Sequence, residues 1–209
     1  MGRIILFISI VLVIEGLVIA IAINRMTVLN NIQAEYASSA EWLGKELANK
    51  LVDDARKTYS DLFEKTGAVD ASMRIVNPRH KRATTTPGIE GLGKPLLPIA
   101  KELLETFWAT MFHSILRLKM VLMWAPYLGP LLICAIIDGL NTREAKKHSY
   151  GYSSSNWYHM ALYALLLLII GLPAYLFIPL PMPTWTAPAW YIAATMGLTL
   201  LFSNLQKMY

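Results

Sequence analysis

The sequence predicts an all-α integral membrane protein with four transmembrane helices, the first carrying a long helical extension outside the membrane. Three observations predict it. Hydrophobic residues fill 55% of the 209 positions and charged residues only 16%, and mean hydropathy is +0.42, which is not the composition of a soluble domain. Apolar runs able to cross a hydrocarbon core about 30 Å thick occupy residues 1–23, 120–138 and 158–178, and a fourth lies within 188–209. Between the second and third runs, the short loop 139–157 sets Arg143, Lys146, Lys147 and His148 against Glu144. Basic residues in short loops stay on the cytoplasmic side, so this loop orients the whole chain.

The first run follows Arg3 and exceeds the roughly 7 to 15 apolar residues of a secretory signal, so it reads as a span. Glu15 stands near its middle, where an ionisable side chain costs roughly 2.5 kcal/mol or more. It is therefore either a neutral carboxyl hydrogen-bonded to a neighbouring helix or sister subunit, or part of a proton pathway. Over 24–66 the residues Ile32, Tyr36, Ala40, Leu43, Leu47, Leu51, Ala55, Tyr59 and Leu62 recur at spacings of three and four, drawing a narrow apolar stripe down one helix face. Only Gly44 weakens that helix. The first span is thus expected to continue as one rod to about residue 65, its stripe covered by the segment near Trp108 or by the same helix of another copy.

Residues 67–94 read as a polar loop, punctuated by Asn77-Pro78, Pro87-Gly88, Gly91 and Gly93. The basic cluster at 79–82 has no interleaved aromatics and reads as solvated, so no direct nucleic-acid contact is expected. From 95 to 119 an amphipathic helix opens on Pro95 and Pro98 and displays Phe107, Trp108 and Phe112, residues suited to a membrane interface. Arg117 and Lys119 are expected to snorkel toward headgroups, and His113 reads as interfacial and not as a ligand. Pro126 and Pro130 should kink the second span. The third span is capped by the serines at 153–155 and bent at Pro173. The loop 179–187 carries no charge and fits the outer side, with Trp185 and Trp190 as aromatic anchors. Lys207, after the fourth span, belongs inside. Both termini are then cytoplasmic and residues 24–116 external, since long segments translocate whatever their charge.

Little chemistry is written in the chain. Cys134 is the lone cysteine, so neither an internal disulfide nor a thiolate metal site is expected, and inside an apolar run it reads as a small buried side chain. Paired carboxylates, a Ser-His arrangement and a phosphate-binding glycine loop are lacking, so no enzyme, cofactor or metal is expected. A small proton-coupled transporter or channel-like protein using Glu15 is the alternative, with scant polar support in the later spans beyond Tyr127, Thr195 and Thr199.

The stretch 138–159 adds a specific signal: Asp138-Gly139-Leu140, Arg143-Glu144, the pair Lys146-Lys147, Tyr150-Gly151-Tyr152, serines, then Tyr158-His159. It resembles the signature of an inner-membrane family encoded in integrating conjugative elements and conjugative plasmids, which shares the layout of one N-terminal span, an external helical region and clustered C-terminal spans. The resemblance implies a bacterial inner (cytoplasmic) membrane location with residues 24–116 periplasmic, and a non-enzymatic role in conjugative type IV secretion beside the coupling ATPase. In physical terms Asp138 is placed to pair with Arg143 at the end of a span, while Tyr158 and His159 open the next helix. Those residues are expected to pin a hairpin that docks a partner, and Glu15 and the stripe Leu43, Leu47 and Leu51 to support a homo-oligomer or larger membrane complex.

Overall fold

A computed structural model describes residues 24–76, 90–149 and 154–205. Glu15 and the first span, the basic cluster 79–82, and residues 150–152 of the motif lie outside them. Every described element is helical: α1 (Arg25–Leu43), α2 (Lys45–Tyr59), a π-helical turn (Ser60–Glu64), α3 (Ala68–Val76), α4 (Glu90–His148), α5 (Ser155–Phe177) and α6 (Thr186–Ser203). Pro98–His148 of α4 and Ser155–Phe177 are long and apolar enough to cross a membrane. Two compact units result, one holding the chain to Lys119 together with Leu176–Pro183, the other Met120–Tyr175 and the chain from Thr184 onward.

The expected rod of 24–66 is broken twice. Asn24 is extended (φ −86°, ψ 145°) and its side chain accepts from the Met26 amide, so α1 starts as a capped helix of its own. Gly44 has φ +84°, open to glycine and costly for other residues, and there the chain turns so that α2 packs back on α1. Tyr36 Oη donates to Asn49 Oδ1 across the turn at 2.6 Å. On α2 the expected Leu51 and Ala55 are buried, but Ala48 joins them in place of Leu47, which is exposed. On α1 the buried positions are Val28, Asn31, Glu35 and Ser39, one step around the helix from the expected stripe of Ile32, Tyr36 and Ala40.

Residues 67–94 are not all loop. Val69, Met73 and their neighbours form α3, with Asp70 in its first turn and Arg74 in its last, each favourable to the helix dipole. The Trp108 indole N–H donates to Ser72 Oγ at 3.0 Å, and Tyr59, Phe63, Trp108 and Phe112 meet tilted or edge-on with ring centroids 5.4 to 6.4 Å apart. These rings tie α2, α3 and α4 into the first unit.

The boundary expected at 119–120 is where the two compact units divide, but it is not a break in the helix: α4 runs through it and through Pro126 and Pro130. It also runs ten residues into the expected loop 139–157, since nothing there breaks a helix and Lys146, Lys147 and His148 suit its C-terminus. In the second unit α4 and α6 meet along small residues. A Cβ at Gly139 would lie 2.7 Å from Phe202 Cβ and 3.0 Å from the Thr199 carbonyl, and, where α6 meets α5, one at Gly197 would lie 3.0 Å from Leu165. Small residues let helix backbones approach this closely. Thr199 Oγ1 and Tyr191 Oη donate to the carbonyls of Ala135 and Val121 on α4. Cys134, expected to be buried, is exposed.

Candidate functional site

The chemistry-bearing centre of the first unit is a buried ionic cluster that no apolar pattern announces. Glu35 on α1 meets His113 and Arg117, one turn apart on α4. His113 Nε2 lies 2.9 Å from Glu35 Oε2, and Arg117 Nε donates to Oε1 at 3.0 Å while its Nη2 reaches the same oxygen. The side chains of Glu35 and His113 are 4% exposed and that of Arg117 1%. An ionised carboxylate has no proton to give, so the imidazole Nε2 carries the hydrogen between them.

The cluster reaches a third segment. The Met182 amide donates to Glu35 Oε1 at 2.9 Å, Arg117 Nη1 donates to the Ile178 carbonyl at 2.7 Å, and Nη2 donates to the Leu180 carbonyl. Asn31 Nδ2 donates to the Pro179 carbonyl at 2.7 Å and Ser114 Oγ to that of Leu176 at 3.1 Å. Carbonyls at a helix end and in the loop after it lack helical donors and need such partners, and the planar fork of arginine serves several acceptors at once. Burial pushes the Glu35 carboxyl up, but the hydrogen bonds and charges of His113 and Arg117 outweigh it and hold the group below the usual carboxylate range.

The helix faces that meet here are polar and small. On α4, Thr106, Thr110 and Ser114 are buried, and each returns its hydroxyl to the carbonyl four residues back. Nearby, Arg25 and Glu105 pair at 2.8 Å beside a cavity of about 420 Å³ walled by Leu29, Tyr59, Met73, Trp108 and Phe112. Among the described residues no group of His, Cys, Asp and Glu is arranged to hold a metal.

His113 and Arg117 thus need correction: the first is neither interfacial nor idle, and the second is buried, not snorkelling. Both lie inside a cluster whose signal was a histidine and an arginine at i, i+4 just before an apolar run, opposite an acid on another helix. The site residues expected from the sequence are scattered instead. Leu51 is buried in α2, Leu43 half-buried and Leu47 exposed, so the three do not form one surface stripe. Asp138 is exposed, and among the described residues no ion pair joins it to Arg143, which is half-buried; Glu144 pairs with Lys147 and His148 on its own helix. Tyr158 and His159 lie in the first turns of α5, with the His159 ring stacked on Tyr163. Gly139 keeps a structural part through its contact with α6.

The residue that joins the ends of the second unit is Asn204. Its Oδ1 accepts from Lys146 Nζ at 3.2 Å and the Ser154 amide at 3.3 Å, and its Nδ2 donates to the Leu200 carbonyl at 2.9 Å. Lys146 also donates to the Ser203 carbonyl.

Among the described residues every element is helical, two helices are long and apolar enough to cross a membrane, and an ionic cluster holds segments of the first unit together: the class is that of a helical protein with span-length apolar helices. Within it, residues 24–207 match the family described as IncC plasmid conjugative DNA transfer protein DtrJ-like, and the chain belongs to that family. This agrees with the conjugation-associated resemblance carried by residues 138–159. Comparison with curated proteins and with solved structures finds no match.

Proposed function

We propose that this protein is a non-enzymatic inner-membrane subunit of a conjugative type IV secretion apparatus, assembling with or stabilising the coupling ATPase that feeds DNA to the channel. It spans the membrane four times, with both termini cytoplasmic and residues 24–116 periplasmic. The observation that carries the reading is the bonding of Glu35 and Arg117 to residues 178–182. Charge patterning assigns the polar excursion and the loop 179–187 to the same outer side, and the two are joined by part-buried hydrogen bonds, as that topology requires. The Lys146, Ser154 and Asn204 junction supports it likewise, because loop 139–157 and the C-terminal tail are both assigned to the cytoplasm.

The family supplies the process, DNA transfer by conjugation. The membrane-subunit role rests on the span-length helices and on a site whose side chains are consumed in holding segments together. Solubilisation in mild detergent, capture of the tagged full-length chain from a conjugating donor and identification of what accompanies it test the proposal. The coupling ATPase should co-purify at a defined stoichiometry. Its absence, with transfer dependent on the protein, would remove that partner.

A further inference from the structure

The cavity of about 420 Å³ lies wholly within the first unit and draws its wall from four helices: Leu29 and Ile32 on α1, Tyr59 on α2, Met73 on α3, and Trp108 and Phe112 on α4. Its volume falls within the roughly 300–1,000 Å³ of small-molecule sites. Walls on four helices bound a short hollow, whereas a partner helix needs an extended groove for a row of anchors. The polar members of the wall are few and engaged. The Trp108 indole donates to Ser72 Oγ, and Arg25 Nη1 donates to Glu105 Oε2 at 2.8 Å. A peptide seated here would bring N–H and C=O groups that are costly to bury unpaired. An aliphatic chain brings none.

The ion pair at the cavity adds a sign. Glu105 Oε1 also lies 3.8 Å from Lys101 Nζ, so two cations share one acid, and the side chain of Arg25 is 52% exposed. An anion can take N–H groups of Arg25 while Lys101 continues to balance Glu105, and a charge-assisted bond to a guanidinium is among the stronger hydrogen bonds. We propose that this cavity binds a single-chain anionic amphiphile, its apolar chain against Tyr59, Met73, Trp108 and Phe112 and its carboxylate or phosphate at Arg25. A free fatty acid and a lysophospholipid share that chemistry. The ligand would tie together the four helices that wall the cavity. This inference needs only the first unit and stands apart from the membrane-subunit reading above.

The test uses the full chain in phosphatidylcholine nanodiscs and a dodecanoic acid carrying a diazirine near its methyl end. Photolysis should attach the probe saturably to peptides containing Tyr59, Met73 or Phe112, located by mass spectrometry. Unlabelled dodecanoate should compete at about one tenth of the concentration that dodecanol needs, the worth of one hydrogen bond to a charged group. Arg25→Gln and Glu105→Gln break the same ion pair but change the charge in opposite directions. The first should weaken labelling about ten-fold and the second should strengthen it about two-fold. Ala109→Leu on α4 and Met73→Phe on α3, both at cavity-lining positions, should each abolish saturable labelling while melting as the parent does, and either one suffices if the other fails to fold. Displacement of the probe by lysophosphatidylglycerol at lower concentration than by dodecanoate assigns the site to a bilayer-derived ligand, and the reverse order to a free fatty acid; both support the amphiphile site. Labelling of the apolar helices α5 and α6 alone, without saturation, is partition into the bilayer and overturns the proposal. Equal losses in Arg25→Gln and Glu105→Gln make the pair merely structural and overturn it as well. Displacement by a leucine-ended peptide but not by dodecanoate gives the cavity to a protein partner, with the same consequence.

Discussion

Arg117 divides its N–H groups between the two oxygens of Glu35 and the carbonyls of Ile178 and Leu180, so its loss strands an acid and two carbonyls together. Breaking a buried pair from one side costs about 3–5 kcal/mol, far more than the pair is worth relative to a neutral substitute. Arg117→Met should therefore destabilise the solubilised protein by about that amount, and Glu35→Gln added to it should restore a large part. Thermal or denaturant unfolding of the two variants measures this, and a double variant no more stable than Arg117→Met would contradict it. Arg117→Lys should behave like a loss, because an ammonium cannot reproduce the fork. The pH dependence has a definite sign. The Glu35 carboxyl is held below its ordinary 4.5 in the folded chain, so its contribution is fully present above about pH 4.5 and is lost as pH falls through the lower folded value. The stability difference between the protein and Glu35→Gln should hold steady from pH 7 to 5 and shrink below 4.5. A difference that grows on acidification would reverse the assignment.

The small residues where α4 meets α6 make a sharper demand than the polar ones around them. At Gly139 a methyl group would collide with Phe202 Cβ and the Thr199 carbonyl, atoms fixed to the α6 backbone, so the helices must part. Gly139→Ala should cost about 1–3 kcal/mol through overpacking, while Asp138→Asn, exposed one position away, should stay within about 0.5 kcal/mol. Protein yield and melting of the two variants distinguish them, and equal losses would mean that Asp138 acts where no bond shows it. Legibility in the sequence follows the same division. Two apolar runs long enough to span were readable from composition, as were Leu51 and Ala55 on the buried face of α2, whereas Ala48 takes the buried place expected of the exposed Leu47. The packing face of α1 was not, because Asn31, Glu35 and Ser39 keep helical spacing in polar residues while the search followed apolar ones. Gly44 was seen only as a propensity cost of about 1 kcal/mol, yet its φ of +84° makes it a turn. Pairing across sequence separations of about eighty residues, as between Glu35 and Arg117, leaves no local periodicity to read.

At the scale of the whole molecule, association is the property the sequence argued for, and the structure moves its surface. A Leu47→Glu, Leu51→Glu pair no longer probes it, since Leu51 is buried against its own unit and a carboxylate there would break α2 packing. The exposed apolar row in the first unit is Ile99, Leu103 and Phe107 on α4, spaced by four and therefore on one face. A row of that kind marks a contact surface when no segment of its own chain covers it. Its neighbours Lys101 and Glu105 are engaged with each other, and Glu105 with Arg25, so the row is flanked by satisfied charges and not by a repulsive rim. Leu103→Glu with Phe107→Glu spares the hydrogen bonds of the Glu35 cluster, because both side chains are exposed and neither bonds to Glu35, His113 or Arg117. The double variant should insert and melt like the parent, elute at a smaller size in mild detergent, and lower transfer frequency at least ten-fold. An unchanged elution position with unchanged transfer would remove this face from the assembly and leave the membrane-embedded helices as the surface through which the protein meets its partners.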